Sequence, residues 1–297
     1  AAGMGVGLVY FGVAEPVIHH GAPLDAEPRT DAAVADAMRV AYYHWGLHPW
    51  AIYGVFALAI AHAHFNRGLP LAPRSALEPL LGDKARGWRG DAVDILCTVG
   101  TLLGVATSLG LGAMQINSSL ALFFGLGEST ATQVGLIAAV TLVATISVVL
   151  GVSKGVQRLS QLNLGLAASL LLFVLLAGPT LFIVELMVSS VGRYLQTLPE
   201  MSLYLDPGAG SEWQTTWTLF YWGWWISWSP FVAVFIARVS RGRTVGEFIL
   251  GVLVAPALVT FLWLAAFGGA GLWMQREGVA DIAAALDEIA STSLQAM

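Results

Sequence analysis

The sequence predicts an all-α integral membrane protein, and three observations carry that prediction. Of its 297 residues, 57% are hydrophobic and only 11% are charged, against about 25% charged in a soluble domain. Its mean hydropathy is +0.72. Seven stretches approach or exceed the roughly 20 apolar residues that a spanning helix needs: 1–18, 45–66, 91–117, 129–151, 162–183, 212–238 and 246–273.

The loops between these stretches alternate in charge. Arg67, Arg74, Lys84, Arg86 and Arg89 lie between the second and third spans, Lys154 and Arg158 between the fourth and fifth, and Arg238, Arg241 and Arg243 between the sixth and seventh. Those loops are cytoplasmic by the positive-inside rule. The opposite loops hold Arg29, Arg39, Arg193 and Arg276 among acidic residues: Asp25, Glu27, Asp31 and Asp36, then Glu200, Asp206 and Glu212, then Glu277, Asp281, Asp287 and Glu288. The chain is therefore expected to be a multi-pass protein of the cell inner (plasma) membrane, with the lipid bilayer as its surroundings. The opening AAGMGVGLVY has no charged leader and starts inside an apolar segment, which reads as a truncated first span. Residues 180–198, after Gly178-Pro179, and 279–293 mix apolar and polar positions and are expected to lie along the outer surface.

The net charge of −5 and the scattered basic residues exclude a nucleic-acid footprint. Neither a GxSxG elbow, an HExxH motif nor a phosphate-binding loop is present, so no enzyme and no cofactor are expected. Cys97 is the single cysteine and cannot form an internal disulfide. His44 and His48 stand one turn apart, but Pro49 interrupts them and no acidic partner is nearby in sequence, a poor metal set. Glu15 and Asp94 fall near span ends, where hydration makes them tolerable, as structural caps or as proton carriers.

Two patterns point to binding. The first span carries glycines at 3, 5 and 7. These fit either an unwound backbone, which in a membrane is tolerated inside protein or along a cavity, or close helix packing of the Gly-xxx-Gly type. The third span combines Gly100, Gly104, Gly110 and Gly112 with Thr98, Thr101, Thr107 and Ser108. Its hydroxyls fit either bonds back to the preceding turn or cation ligation.

The second pattern is YWGWWISWSP at 221–230. Trp228 lies ten residues before Arg238, about 15 Å at helical rise, so these rings sit too deep for an interfacial belt. At about 100° per residue, Trp224, Trp225 and Trp228 share one face and Trp222 points away. Three indoles in a dry core are a poor choice, because each N–H wants a partner. A convergent aromatic face is what a quaternary ammonium needs, since it has no N–H to donate and is held by ring faces. HWGLHPWAIY supplies Trp45, Trp50 and Tyr53; their place near the outer end makes the belt their default reading.

The stretch TLFYWGWWISWSPFVAVFIARVSRGRTVGEF resembles the signature region of the betaine/choline/carnitine transporter family, and GMGVGLVYFGVAEP, HWGLHPWAIYG, SLGLGAMQIN and KGVQRLSQLN extend the resemblance over most of the chain. It implies a LeuT-type fold of two inverted five-helix repeats. Residues 1–297 then form one transmembrane transporter domain matching family helices three to nine, with 1–183 as the first repeat and 212–273 as the first two helices of the second. It implies an aromatic box at Trp224, Trp225 and Trp228, with Trp222 beside it and Trp45, Trp50 and Tyr53 from the other helix. It also places Gly3, Gly5 and Gly7 at the substrate carboxylate. One Na⁺ site would use the carbonyls of Ala1 and Met4; a second would use Thr101 and Phe231, but Val105 stands where the family has another threonine. The resemblance implies Na⁺-coupled symport of glycine betaine or a similar osmoprotectant, and a homotrimer. Choline-type relatives carry an aspartate in the glycine stretch, which is lacking here, and Asn163–Gly178 lacks the arginine of sodium-independent carnitine exchangers. Proton-coupled or sodium-independent transport, and a non-transporting quaternary-ammonium sensor, remain as alternatives.

Overall fold

A computed structural model describes residues 2–150, 155–205 and 212–287, with side chains from residue 7 onward. The long helices, in chain order, are α1 (Ala2–Gly21), α2 (Asp31–Trp45), α3 (Leu47–Arg67), α4 (Trp88–Phe124), α5 (Thr130–Val149), α6 (Gln157–Ala177), α7 (Thr180–Ser202), α8 (Thr215–Val239) and α9 (Val245–Arg276). α8 opens on a π turn, Thr215–Leu219, and α9 contains another, Leu250–Val254. Among the described residues no strand occurs. Six helices among the described residues are long and apolar enough to cross a membrane: α2 running into α3, then α4, α5, α6, α8 and α9. α1 covers the expected first span.

Differences from the sequence reading have local causes. The second span begins at Asp31 rather than 45, because the charges of α2 neutralise one another. Arg39, 3% exposed, meets Asp36, 0% exposed, at 2.5 Å and also pairs with Asp25. The other Asp36 oxygen accepts from the N–H groups of Leu24 and Asp25 at 2.8 and 3.1 Å. The fifth span ends at Ala177 rather than 183 because Gly178-Pro179 stops it and α7 starts afresh at Thr180. The expected helix over 279–293 appears at 282–287; residues 279–281 are not helical, and 288–293 lie outside the described residues.

The chain divides into two compact units: residues 1–41, 107–193 and 262–297, and residues 42–106 and 194–261. In the first unit α1 lies against the C-terminal half of α9 through small residues. A Cβ added at Gly268 would stand 2.8 Å from the Gly12 carbonyl and 2.8 Å from the Pro16 ring, and one at Gly271 would stand 2.9 Å from Val13. Trp263 of α9 donates its indole N–H to the Leu8 carbonyl at 3.2 Å. Ile183 of α7 packs with Ala265 and Ala266 of α9. Replacing Gly268 with leucine is therefore expected to separate the two helices and lower the thermal unfolding temperature of the full-length protein, whereas Gly165→Ala, in open space on α6, should leave it unchanged. α5 and α6 turn their apolar side chains outward, with the most apolar window of α6 0% buried. Helices apolar on every side are those that a bilayer accommodates.

In the second unit α3 and α8 form the main helix pair. Its charged end is fastened by short contacts. Arg74 pairs with Asp94 and, at 2.8 Å, with Asp91, while its backbone N–H donates to Asp94 at 2.8 Å. Asp94 thus has the structural role that its position at a span end suggested. Thr244 and Glu247 cap the start of α9 reciprocally.

Candidate functional site

The site is built around a break in a helix. α2 stops at Trp45 and α3 starts at Leu47, with Gly46 between them at φ −88° and ψ −124°. The sequence HWGLHP dictates this. Pro49 has no N–H for the preceding turn, and Gly46 lacks a Cβ, which would stand 2.4 Å from the Tyr42 carbonyl and 2.6 Å from the Phe261 ring. The break leaves backbone groups that tertiary contacts satisfy. The Leu47 N–H donates to the Tyr194 hydroxyl at 3.2 Å, and the His44 carbonyl accepts the indole N–H of Trp225 at 3.0 Å. Burial pushes the Tyr194 phenol up to about 12, so it accepts as a neutral hydroxyl. Tyr42 stacks on Phe261 at 4.4 Å and donates to its carbonyl at 3.0 Å.

Around this break the aromatic rings of α2, α3 and α8 converge. Trp225 is completely buried. Its ring centroid lies 5.1 Å from Trp224 in a stacked pair, 5.1 Å from Trp45 edge-on, 5.8 Å from Tyr221 nearly parallel and 6.5 Å from Tyr53 edge-on. Trp50 meets Tyr53 at 5.9 Å. Trp45, Trp50, Tyr53, Trp224 and Trp225 therefore form one connected cluster. Trp45 and Tyr53 are 3% and 1% exposed, which corrects their reading as interfacial anchors. Trp222 points elsewhere, as its helical angle predicts, and stacks on His48 at 5.3 Å. Trp228, 5% exposed, lies beside Gly104 of α4, where an added Cβ would come within 3.0 Å of its ring, and meets Phe231 edge-on. The stacking of Trp224 on Trp225 is the dry indole packing that the sequence reading disfavoured; the His44 carbonyl freed by the break makes it tolerable by taking the buried N–H of Trp225.

Several buried polar atoms of this unit have no hydrogen-bond partner among the described residues, the Tyr53 hydroxyl and the Trp228 indole N–H among them. Buried polar groups normally have one, so both can serve a ligand. Tyr221 was not singled out from the sequence, although it precedes Trp224 by three residues and Trp225 by four and so shares their face. His44 was weighed only as a metal ligand; its carbonyl contributes to the cluster, while its ring shares a hydrogen bond with Thr218 at 3.3 Å.

The other expected site residues are placed as follows. α1 runs as a continuous helix through Gly3, Gly5 and Gly7, so the unwound segment expected there is not seen; the helix break of this chain falls at Gly46 instead. Ala1 lies outside the described residues, and Met4 is within α1. The Thr101 hydroxyl donates to the Cys97 carbonyl at 2.8 Å, Val105 is half-buried one turn on, and Phe231 is 54% exposed. Glu15, expected at a hydrated span end, is instead fully buried 3.6 Å from His19.

The structure is that of a multi-pass, all-α chain of apolar helices with a buried aromatic cluster, and comparison with known proteins gives its family. The model of the betaine/carnitine/choline transporter family matches residues 1–297. The chain is 46% identical over 286 residues to the glycine betaine transporter OpuD of Bacillus subtilis, covering 95% of this chain and 56% of that protein. It is 47% identical over 272 residues to the glycine betaine transporter of Acinetobacter baylyi, covering 92% and 41%. It is 46% identical over 289 residues to a glycine betaine/proline/choline transporter of Vibrio parahaemolyticus, covering 92% and 52%. The chain belongs to the betaine/carnitine/choline transporter family, multi-pass plasma-membrane transporters with a LeuT-like fold that are not enzymes. It spans about half the length of these curated relatives.

Proposed function

We propose that the protein to which this chain belongs is a secondary active transporter of glycine betaine or a similar zwitterionic trimethylammonium osmoprotectant. The observation that carries this reading is the gathering of Trp45, Trp50, Tyr53, Trp224 and Trp225 into one buried cluster. Ring faces attract a cation that lacks N–H donors, and Trp224 and Trp50 are the half-buried members with surface left to offer. The indole N–H of Trp228 and the hydroxyl of Tyr53 can serve the carboxylate. Two of the relatives are named for glycine betaine and a third for glycine betaine, proline and choline, which supports the substrate class. Trp222 stands at the margin of this site.

Na⁺ is the proposed coupling ion. Thr101 supports this because a hydroxyl that donates backward along its helix keeps its lone pairs for a cation. Ala1, Met4 and Phe231 complete the two proposed ligand sets, and Val105 leaves the second with one hydroxyl in place of two. The repeat boundaries at 183 and 212, and a homotrimer, belong to the same reading. Uptake of labelled betaine into proteoliposomes of the full-length protein should rise with an inward Na⁺ gradient at fixed pH, and Thr101→Val should weaken that dependence. Uptake that follows a pH gradient and ignores Na⁺ would replace this reading with proton coupling, and tight binding without flux would replace it with a sensor.

A further inference from the structure

Resting on that substrate reading, we infer that the helix break at Gly46 is a positioning device: through the His44 carbonyl it fixes the Trp225 indole, and with it the spacing of the rings that recognise the trimethylammonium group. Gly46 is the positioning residue and acts through its neighbours, without touching substrate itself.

The argument starts from the backbone. In an unbroken helix each carbonyl is taken by the N–H four residues on. The His44 carbonyl would then accept from His48 and lie along the helix axis, with only its second lone pair left to a side chain from another helix. The break at Gly46 turns it outward, and the Trp225 N–H meets it at 3.0 Å. That bond holds one edge of a ring whose aromatic neighbours are Trp45, Tyr53, Tyr221 and Trp224. Aromatic contacts tolerate sliding and tilting; a directed hydrogen bond does not. The His44 carbonyl is therefore a directional anchor on the Trp225 ring, and Trp224 inherits its place by stacking 5.1 Å away at 13°.

Only glycine permits this arrangement. Any Cβ at position 46 collides with the Tyr42 carbonyl at 2.4 Å and with Phe261 at 2.6 and 2.9 Å. Tyr42 and Phe261 are stacked and hydrogen-bonded to each other, so neither yields without moving the end of α2 or the middle of α9. A substitution must shift the break, and the shift carries the His44 carbonyl away from Trp225. The consequence for recognition is selectivity. Rings held at a set spacing distinguish three methyl groups from two, whereas rings free to slide close on the smaller head.

The test compares the full-length protein with Gly46→Ala, Trp225→Phe and, as a control within α3, Gly54→Ala, whose added Cβ meets only ordinary contact with Val252 at 3.5 Å. Trp225→Phe keeps an aromatic ring and removes the N–H. Two readouts are taken. One is the KM for glycine betaine relative to dimethylglycine. The other is the indole N–H band in ultraviolet resonance Raman spectra, with Trp225 assigned by subtracting the Trp225→Phe spectrum. Trp225→Phe should raise the KM for glycine betaine by about threefold to tenfold, the range for one lost hydrogen bond. Gly46→Ala should raise it at least as much, reduce the preference for glycine betaine over dimethylglycine, and shift the Trp225 band to that of a free N–H. Gly54→Ala should change neither. A Trp225 band that stays in its bonded position in Gly46→Ala would overturn the inference whatever the transport result. A band that shifts while the unmodified protein proves indifferent to betaine would uphold the backbone device and reject the substrate reading instead.

Discussion

Exchanging Trp224 for leucine in the full-length protein should raise its dissociation constant for glycine betaine about thirtyfold. Cation–π attraction to a desolvated indole is worth about 2 kcal/mol, and about 1.4 kcal/mol corresponds to a factor of ten. Trp224 is the ring to remove because it is half-buried, whereas Trp225 is completely buried. Trp225 is a poorer probe of binding alone. It is 0% exposed, touches four other rings and holds the His44 carbonyl, so Trp225→Leu should also destabilise the second unit by several kcal/mol. The two effects separate in a paired measurement of betaine affinity and thermal unfolding. Trp224→Leu should lose affinity with little change in stability, and Trp225→Leu should lose both. Equal affinity in Trp224→Leu and the unmodified protein would remove that ring from the site.

The second large effect lies in the first unit. Arg39→Met should lower stability by about 3–5 kcal/mol, the cost of leaving a buried charge without its partner. Asp36 is 0% exposed, and its remaining contacts are two backbone N–H groups. Converting the pair together, Asp36→Leu with Arg39→Met, should recover a substantial part of that loss, because well-packed apolar residues often replace a buried ion pair at little cost. Thermal unfolding of the four proteins completes the cycle. A single Arg39→Met as stable as the parent would show that the pair is solvated and contributes nothing to the position of α2.

Composition and periodicity made the helical class and most span positions legible, since apolar runs of spanning length leave few alternatives in a bilayer. Their ends were less legible. Asp36 and Arg39 stand three apart, a spacing that pairs them once the segment is helical, but nothing in the sequence brings Asp25 to them; it shows three charges in what reads as an outer loop, and only the fold shows all three together. The site divides in the same way. The face shared by Trp224 and Trp225 follows from helical angles, and Tyr221 could have been added by the same rule. The contribution of α2 and α3 could not be read so easily, because an aromatic at a span end looks alike whether it faces headgroups or a neighbouring helix. HWGLHP carried the decisive signal, a glycine three residues before a proline. The glycines at 3, 5 and 7 are the denser pattern, yet α1 runs straight through them. A glycine interrupts a helix where tertiary contacts take over the freed backbone groups, and those contacts join residues 44 to 225 and 47 to 194, far beyond the reach of a local pattern.

The central claim is that the aromatic cluster of α2, α3 and α8 recognises a positive charge that has no hydrogen to donate. Isothermal titration of the purified full-length protein with glycine betaine and with 3,3-dimethylbutanoate tests it most directly. The two ligands share shape and carboxylate and differ in the central atom of the head, a quaternary nitrogen in one and a carbon in the other. Cation–π recognition predicts that the carbon analogue binds at least tenfold more weakly, and that Trp224→Leu narrows the gap. Equal binding of the two would show that the rings form an apolar socket for the methyl groups, and would contradict the account.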